Sequence, residues 1–214
     1  MPYLKKVASV PEPVDCRILT AALELFVNNG FHNVSVHEIQ KQADVSIGSI
    51  YNHFGGKEGI ARALYYHLLN EIQDLVDCAK EEKITAVERC NEIIRQLFNY
   101  TETHQSIISF VFHPRHNEFL PDEPPIYNSS PFVAIHEIIQ QGMDNNEIRK
   151  RDLSVASSAI YGGPIRMINL RLDKIIKDPL PDLLDEILDC IWQGMLVTET
   201  ENNSEDNIGL HSVG

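Results

Sequence analysis

The side chains best suited to molecular recognition are concentrated in one short stretch, IGSIYNHF, at positions 47–54. If this stretch is helical, Ile50 and Phe54 lie four residues apart on one side and anchor it to a core. The other side then carries small, hydroxyl, amide and imidazole groups, which permit close approach to a polar groove wall. Groups of these kinds bind base edges and phosphates. The positions left exposed are Ile47, Gly48, Ser49, Tyr51, Asn52 and His53.

The residues before this stretch predict a second helix that holds it in place. Ser35 is followed three positions later by Glu38, which is the spacing of a capping box at a helix N-terminus. Apolar residues then recur at helical spacing up to Ala43. A tight turn at 43–45 leads to Ser46, which can cap the next helix. Two short helices joined in this way are typical of a helix-turn-helix, whose second helix lies in the major groove of DNA.

Further helices are predicted on both sides of this pair. The apolar pattern at 14–29 predicts a helix, and Gly30 is expected to end it in the left-handed conformation. The pair Gly55-Gly56 breaks the groove-binding helix, and Lys57 is expected to begin a long helix that runs to about residue 79.

The run from Ile18 to Lys57 resembles the N-terminal DNA-binding domain of the tetracycline-repressor (TetR) family. The rest of the chain has room for that family's C-terminal helical domain but matches no motif as specific. The matching pieces are AALELF at 21–26, Gly30-Phe31, the capped helix from Ser35, Val45-Ser46, Gly48, Tyr51, His53-Phe54 and Lys57-Glu58.

The resemblance implies roles for individual residues. Tyr51 and His53 would donate hydrogen bonds to phosphates, and Lys57 would add positive charge beside them. Bases would be read from the second helix, where Asn52 can pair with adenine and Ile47 can contact a thymine methyl. The full set of expected DNA contacts is Ser35, His37, Ser46, Ile47, Gly48, Ser49, Tyr51, Asn52, His53 and Lys57.

Two positions depart from the family pattern. Asp44 stands where glycine is usual, although aspartate tolerates the left-handed region better than most residues. Ile47 stands where a basic residue is common. Both changes are expected to lower affinity for DNA and to increase reliance on hydrogen bonds.

The distribution of charge agrees with a head that binds a polyanion. The chain has a net charge of −13, but residues 1–65 carry as many basic as acidic side chains. All of the excess negative charge therefore lies in the remainder of the chain, which DNA would repel.

Other classes of function find little support in the sequence. A glycine-rich phosphate loop, GxSxG and HExxH are all absent, so we expect no enzymatic activity and no cofactor. His113, His116 and Glu118 are spaced too loosely to predict a metal site. The four cysteines form no CxxC pair and are expected to be reduced thiols. With no long apolar run and no signal peptide, a cytoplasmic protein without membrane contact is expected.

The predicted fold class is all-α, with an N-terminal three-helix DNA-binding domain and a C-terminal helical domain for ligand binding and dimerisation. We expect a flexible arm at 1–13, the DNA-binding domain at 14–56, the helical domain at 57–198 and a disordered tail at 199–214. Within the helical domain, five prolines predict a long loop at 113–131. Asp152 is expected to cap one helix, and Asp182 is expected to open the last one.

These last two helices, at about 152–173 and 182–197, are the predicted dimer interface. The first is rich in small residues and the second carries an apolar stripe too wide for one neighbour. A pocket for a small apolar or aromatic molecule is expected from apolar, aromatic and imidazole side chains around the loop. The candidates are Phe98, His104, Phe110, Phe112, His113, Tyr127, Phe132, His136, Tyr161, Met167 and Trp192.

Together these features predict a homodimeric, ligand-responsive transcriptional repressor that binds a palindromic site on double-stranded DNA. One small head contacts a single half-site, so a pair of heads is needed for affinity. The alternative is a dimeric DNA-binding regulator, either repressor or activator, that a partner protein switches in place of a small-molecule inducer.

Overall fold

The computed structural model describes residues 13–112, 120, 123 and 128–197, and within them the chain is all-α, as the sequence predicts. An isolated antiparallel bridge joins Ile148 to Leu196. Short 3₁₀ turns lie at Phe31–Asn33 and Leu180–Leu183. The helices of the described residues are α1 (Val14–Asn29), α2 (Val36–Ala43), α3 (Ile47–Phe54), α4 (Lys57–Glu82), α5 (Ala86–Thr103), α6 (Gln105–Phe112), α7 (Ser130–Asp144), α8 (Leu153–Leu172) and α9 (Leu184–Met195).

The chain divides into two compact units. The first comprises Met1–Leu75 and Tyr100–Phe132, and the second comprises Val76–Asn99 and Val133–Gly214. α6 thus belongs with α1, α2 and α3, and it packs against α1. The domain boundary that we drew between residues 56 and 57 stays a prediction.

The apolar side chains that recur along α1 lie at the centre of the first unit. Ile18 and Ala22 are completely buried, and Phe26 is nearly so. α1 packs against both helices of the predicted DNA-binding pair as well as against α6. Its burial therefore supports the pair from behind.

Glycines end α1 and α3 in different conformations. Gly55 is left-handed, with φ 74° and ψ −6°, and its N–H donates to the carbonyl of Tyr51. Gly30 has φ 80° but ψ 146°, so the left-handed C′ conformation expected there is wrong. The extended ψ turns the chain directly into the Phe31–Asn33 turn, although the N–H of Gly30 still bonds to the carbonyl of Phe26.

α4 starts unusually close to the end of α3. A Cβ added at Gly59 would lie 1.7 Å from the carbonyl oxygen of Phe54. Only glycine fits this approach, because a backbone carbonyl cannot rotate away as a side chain can. The angle between the two helices thus depends on a missing side chain.

The second unit contains α8 and α9, which pack against each other. Asp152 caps α8, as predicted, and its carboxylate accepts from the N–H groups of Ser154 and Val155. The predicted start of the last helix at Asp182 is wrong: Asp182 lies in a 3₁₀ turn at Leu180–Leu183, and α9 begins at Leu184 without a side-chain cap.

Several predictions fall on residues outside the described ranges. They are the arm at 1–12, most of the loop at 113–131 and the tail from 199 onward. Among the helices that are described, none combines the length and the apolar character that crossing a bilayer requires.

Gly59→Ala should lower the free energy of unfolding by about 3 kcal/mol, because the added methyl group meets backbone. Gly48→Ala is the matched control, since a Cβ there would lie 3.7 Å from the hydroxyl of Ser46, which is an ordinary contact. The control should be neutral or slightly stabilising, as alanine favours helix more than glycine does. Urea denaturation followed by circular dichroism measures both. Equal midpoints for the two variants would show that the close approach is not a constraint.

Candidate nucleic-acid interface

The predicted capping box forms at the start of α2. The hydroxyl of Ser35 accepts from the N–H of Glu38 at 3.3 Å, and the Glu38 carboxylate accepts from the N–H of Ser35 at 2.7 Å. It also accepts from the Ser35 hydroxyl at 2.7 Å. These bonds from Ser35 hold the pKa of Glu38 below its ordinary value. The capping box therefore fixes the residue at which α2 begins. The Ser35 hydroxyl is already engaged in hydrogen bonds within the protein.

The turn between α2 and α3 is held by bonds to its backbone. Asp44 is left-handed, with φ 52° and ψ 55°, as the sequence predicts. The side-chain amide of Gln40 donates to the carbonyl of Val45 at 2.8 Å. Arg17 reaches across from α1 and donates to the carbonyl of Asp44 at 3.1 Å. The turn thus keeps its shape without the glycine that is usual in the family.

α3 is capped by Ser46, whose hydroxyl accepts from the N–H of Ser49 at 3.0 Å. The two hydroxyl oxygens also lie 2.8 Å apart and share a hydrogen bond. Ile50 is completely buried and fixes the inward face of the helix. Ser46 and Ser49 therefore preorganise α3, and each has only part of its hydrogen-bonding capacity left for a ligand.

The outward face of α3 carries the remaining predicted contacts. Tyr51 is 56% exposed and Ile47 is 37% exposed. Asn52, His53 and Gly48 are exposed as well. The helix thus presents a phenol, an amide and an imidazole beside a small apolar patch, in an arrangement suited to the major groove. On α2, His37 is also exposed.

Lys57 occupies a different environment from the other candidates. It is half-buried, and its ammonium donates to the carbonyls of Phe31 and Val34 at 3.0 and 2.9 Å. The same nitrogen lies 4.3 Å from the centroid of the Phe31 ring, within range of a cation–π interaction. A lysine at a helix N-terminus is normally disfavoured by the helix dipole, and the two carbonyls offset that cost. Lys57 thus ties the start of α4 to the segment between α1 and α2.

Sequence reasoning missed two supporting contacts made from α1. Arg17 holds the turn, as described above, and Glu24 accepts from the side-chain amide of Gln42 at 2.7 Å. The available signal was the presence of charged residues on a helix whose other positions are mostly apolar. That signal could indicate a solvated face as well as a contact, so it did not single these residues out.

The predicted ligand-binding residues are divided between the two units. Phe98 and Tyr161 are buried in the second unit, where His136 and Met167 are half-buried. Phe110 is buried in the first unit, where His104, Phe112 and Phe132 are half-buried. Trp192 is buried in the second unit and donates to the side chain of Asn91 at 2.6 Å. His113 and Tyr127 lie outside the described residues.

A cavity of about 370 Å³ lies within the first unit, between α1, α4 and the junction of α5 with α6. Of the predicted ligand-binding residues, His104 is the one that lines it. The pocket that we predicted elsewhere therefore stays a prediction.

Other reactive groups in the described residues have ordinary structural settings. All four cysteines are free thiols, and burial raises the pKa of Cys90 to about 12. No group of three or more metal-binding side chains occurs in the part of the chain that the structure describes.

Comparison with known proteins agrees with the geometry. The sequence profile of the bacterial regulatory proteins of the tetR family matches residues 18–64, which include the whole helix-turn-helix. The chain belongs to the TetR family. It is a DNA-binding transcriptional regulator.

Two curated relatives illustrate how far this similarity extends. The fatty acid metabolism regulator protein of Bacillus subtilis is 26% identical over 153 residues, which cover 70% of this chain and 79% of that protein. The regulator UidR of Escherichia coli is 43% identical over 53 residues, which cover 25% of this chain and 27% of that protein. Both relatives are named as regulators.

Solved structures share the fold along most of the chain. FadR of Bacillus subtilis, in complex with stearoyl-CoA, gives a TM-score of 0.66 at 24% identity and covers 83% of this chain and 97% of its own. FadR of Bacillus halodurans, a fatty acid degradation regulator, gives a TM-score of 0.69 at 18% identity. The match covers 86% of this chain and 96% of that one. The family fold therefore includes the helical region beyond residue 64.

Lys57→Met should lower the free energy of unfolding by about 1–3 kcal/mol, because two carbonyls lose a charged donor. Lys41→Met, at an exposed lysine of α2, is the control and should change stability little. A second measurement separates the structural role from phosphate contact. If Lys57 is structural, the slope of log affinity against log salt stays the same. A slope reduced by about one would show that its ammonium reaches a phosphate.

Proposed function

We propose that this protein is a homodimeric repressor that binds a palindromic operator and releases it when a ligand binds. The observation that supports DNA reading best is the outward face of α3. Tyr51, Asn52 and His53 are exposed there on a helix fixed by a side-chain cap and by the buried Ile50. A preorganised helix can read bases without first paying the entropy of becoming ordered.

In this proposal some of the exposed side chains contact phosphates and others contact bases. Tyr51 and His53 donate to phosphates and fix the register of the helix, and Asn52 and Ile47 read bases. Ser46, Gly48 and Ser49 allow the start of α3 to approach the groove wall closely. His37 and the N-terminal end of α2 at Ser35 lie against the sugar-phosphate backbone of the DNA. Lys57 contributes by positioning α4.

Tyr51→Phe should weaken binding to every DNA sequence by about the same factor, since it removes a phosphate contact. Asn52→Ala should instead relax the preference at one base pair, which is worth about 1–3 kcal/mol of discrimination. Fluorescence anisotropy with the DNA upstream of its own gene, and with single-base variants of it, measures both. Absence of specific binding at low salt by a folded protein would contradict the proposal, and exchanged phenotypes would reverse the two roles.

The proposed dimer interface is the outward surface of α8 and α9. Val155 on α8 is 57% exposed, although it is apolar. Gly162 on α8 and Gly194 on α9 are exposed, and a Cβ at either would meet nothing within 4 Å. Such a surface allows two helices of another subunit to approach closely, and a four-helix arrangement has two-fold symmetry. Two recognition helices about 34 Å apart would then match successive turns of DNA.

Gly162→Glu should convert the dimer to a monomer, because it buries a charge at the centre of the proposed interface. The isolated chain should remain folded, since the site is open and glutamate favours helix more than glycine does. Ile84→Glu, at an apolar residue that is 88% exposed before α5, is the control and should stay dimeric. Sedimentation equilibrium reports the mass of each. A dimeric Gly162→Glu variant would place the interface elsewhere.

The proposed ligand is a long-chain fatty acyl thioester. This class comes from the relatives, since one Bacillus subtilis regulator is named for fatty acid metabolism and the FadR structure from that organism holds stearoyl-CoA. Buried apolar side chains of the second unit, such as Phe98, are compatible with an acyl chain. The ligand acts as an inducer only if it binds the DNA-free arrangement more tightly.

Stearoyl-CoA should weaken operator binding at least about tenfold, within the usual range of allosteric coupling. Coenzyme A without the acyl chain should leave the affinity unchanged. The anisotropy assay above gives both values on the same DNA. If neither compound changes the affinity, the alternative of a switch operated by a partner protein becomes the better account.

A further inference from the structure

The cavity in the first unit has an apolar wall on which a small molecule can rest. Its volume is about 370 Å³. Five buried apolar side chains form this wall. They are Leu19 and Leu23 of α1, Leu64 and Leu68 of α4, and Ile107 of α6. This volume is at the small end of the range for ligand pockets, which begins at about 300 Å³.

The cavity contains a hydroxyl group, that of Thr20, whose hydrogen-bonding capacity is unused. The hydroxyl oxygen of Thr20 is buried and has no hydrogen bond among the described residues. A buried hydroxyl left unpaired costs roughly 1–3 kcal/mol, so such atoms usually point to a missing partner. Thr20 lines the cavity, and a bound molecule could supply that partner.

The charge of the lining selects among possible ligands. Glu24 and Glu102 are acidic, and none of the described residues that line the cavity is a lysine or an arginine. His67 and His104 also line it, and burial lowers the pKa of both imidazoles. Burial thus disfavours the charged form of both histidines. The site therefore favours a cation and disfavours a carboxylate or a phosphate.

We propose that this cavity is a binding site for a small organic amine with an apolar, ring-containing body. The body would lie on the leucines of α1 and α4, and the ammonium would face Glu24 and Glu102 with a hydrogen bond to the hydroxyl of Thr20. This site is distinct from any site for an acyl thioester, because the phosphates of coenzyme A are anionic. It goes beyond the proposed repressor function and does not depend on it.

Isothermal titration calorimetry of the full chain with three probes tests the charge preference. Tryptamine, tryptophol and indole-3-acetate share one ring system and carry a cationic, a neutral and an anionic tail. We expect tryptamine to bind at one site per chain and roughly tenfold more tightly than indole-3-acetate, with tryptophol between them. Undetectable binding of tryptamine, or equal binding of the cationic and anionic probes, would overturn the proposal.

Two variants locate the binding. The double variant Glu24→Gln, Glu102→Gln should weaken tryptamine roughly tenfold and leave tryptophol unchanged. Glu81→Gln, at an exposed glutamate of α4 that does not line the cavity, is the control for net charge and should change neither.

Thr20→Val removes the hydroxyl while keeping the shape of the side chain. It should weaken tryptamine severalfold and leave the thermal midpoint of the free protein equal or higher, because no hydrogen bond of the free protein is lost. This variant keeps the test decisive if the double variant fails to fold. Unchanged tryptamine affinity in folded Thr20→Val would overturn the assignment to this cavity.

Discussion

The ammonium of Lys57 connects two parts of the first unit. It bonds to the carbonyls of Phe31 and Val34, which belong to the segment between α1 and α2, and it lies over the Phe31 ring. Lys57 is also the first residue of α4. One charged side chain therefore links the start of α4, which follows the helix-turn-helix, to the segment that precedes α2. Gly59 acts in the same place, because its missing side chain lets α4 begin against the last residue of α3.

This arrangement explains how a neutral head can read DNA. Its preorganisation comes from hydrogen bonds: the capping box of α2, the cap of α3 and the bond from Arg17 to the turn. These bonds take up part of the capacity of the serines, so the tyrosine, asparagine and histidine on the outward face of α3 carry most of the proposed contacts. Few charges remain to attract phosphates at long range, so affinity must come mainly from close contacts.

The compact units bear on how a ligand could act. α6 and the start of α4 belong with the DNA-binding helices rather than with α8 and α9. A cavity bounded by α1, α4 and the start of α6 is thus part of the same unit as the recognition helix. A molecule bound there would contact the helix that supports the recognition pair. A ligand in the other unit could act through α4, α5 or α7, each of which continues from one unit into the other.

The sequence by itself determined the features whose causes are local. The capping box at Ser35, the left-handed Asp44, the cap at Asp152 and the helical class follow from residues within a few positions of one another, so their spacing was enough to predict them. Tertiary structure decided the rest. The resemblance implied a phosphate contact for Lys57, which stays a prediction. Its bonds to the carbonyls of Phe31 and Val34, 26 and 23 residues away, could not be read from its neighbours in sequence. The extended ψ of Gly30 and the late start of α9 depend on what the next segment packs against. The candidate ligand residues are apolar, aromatic or imidazole side chains in sequence, but only the folded chain assigns those that it describes to two units. The cavity brings α1 together with residues more than 80 positions away, which periodicity along one helix cannot reveal.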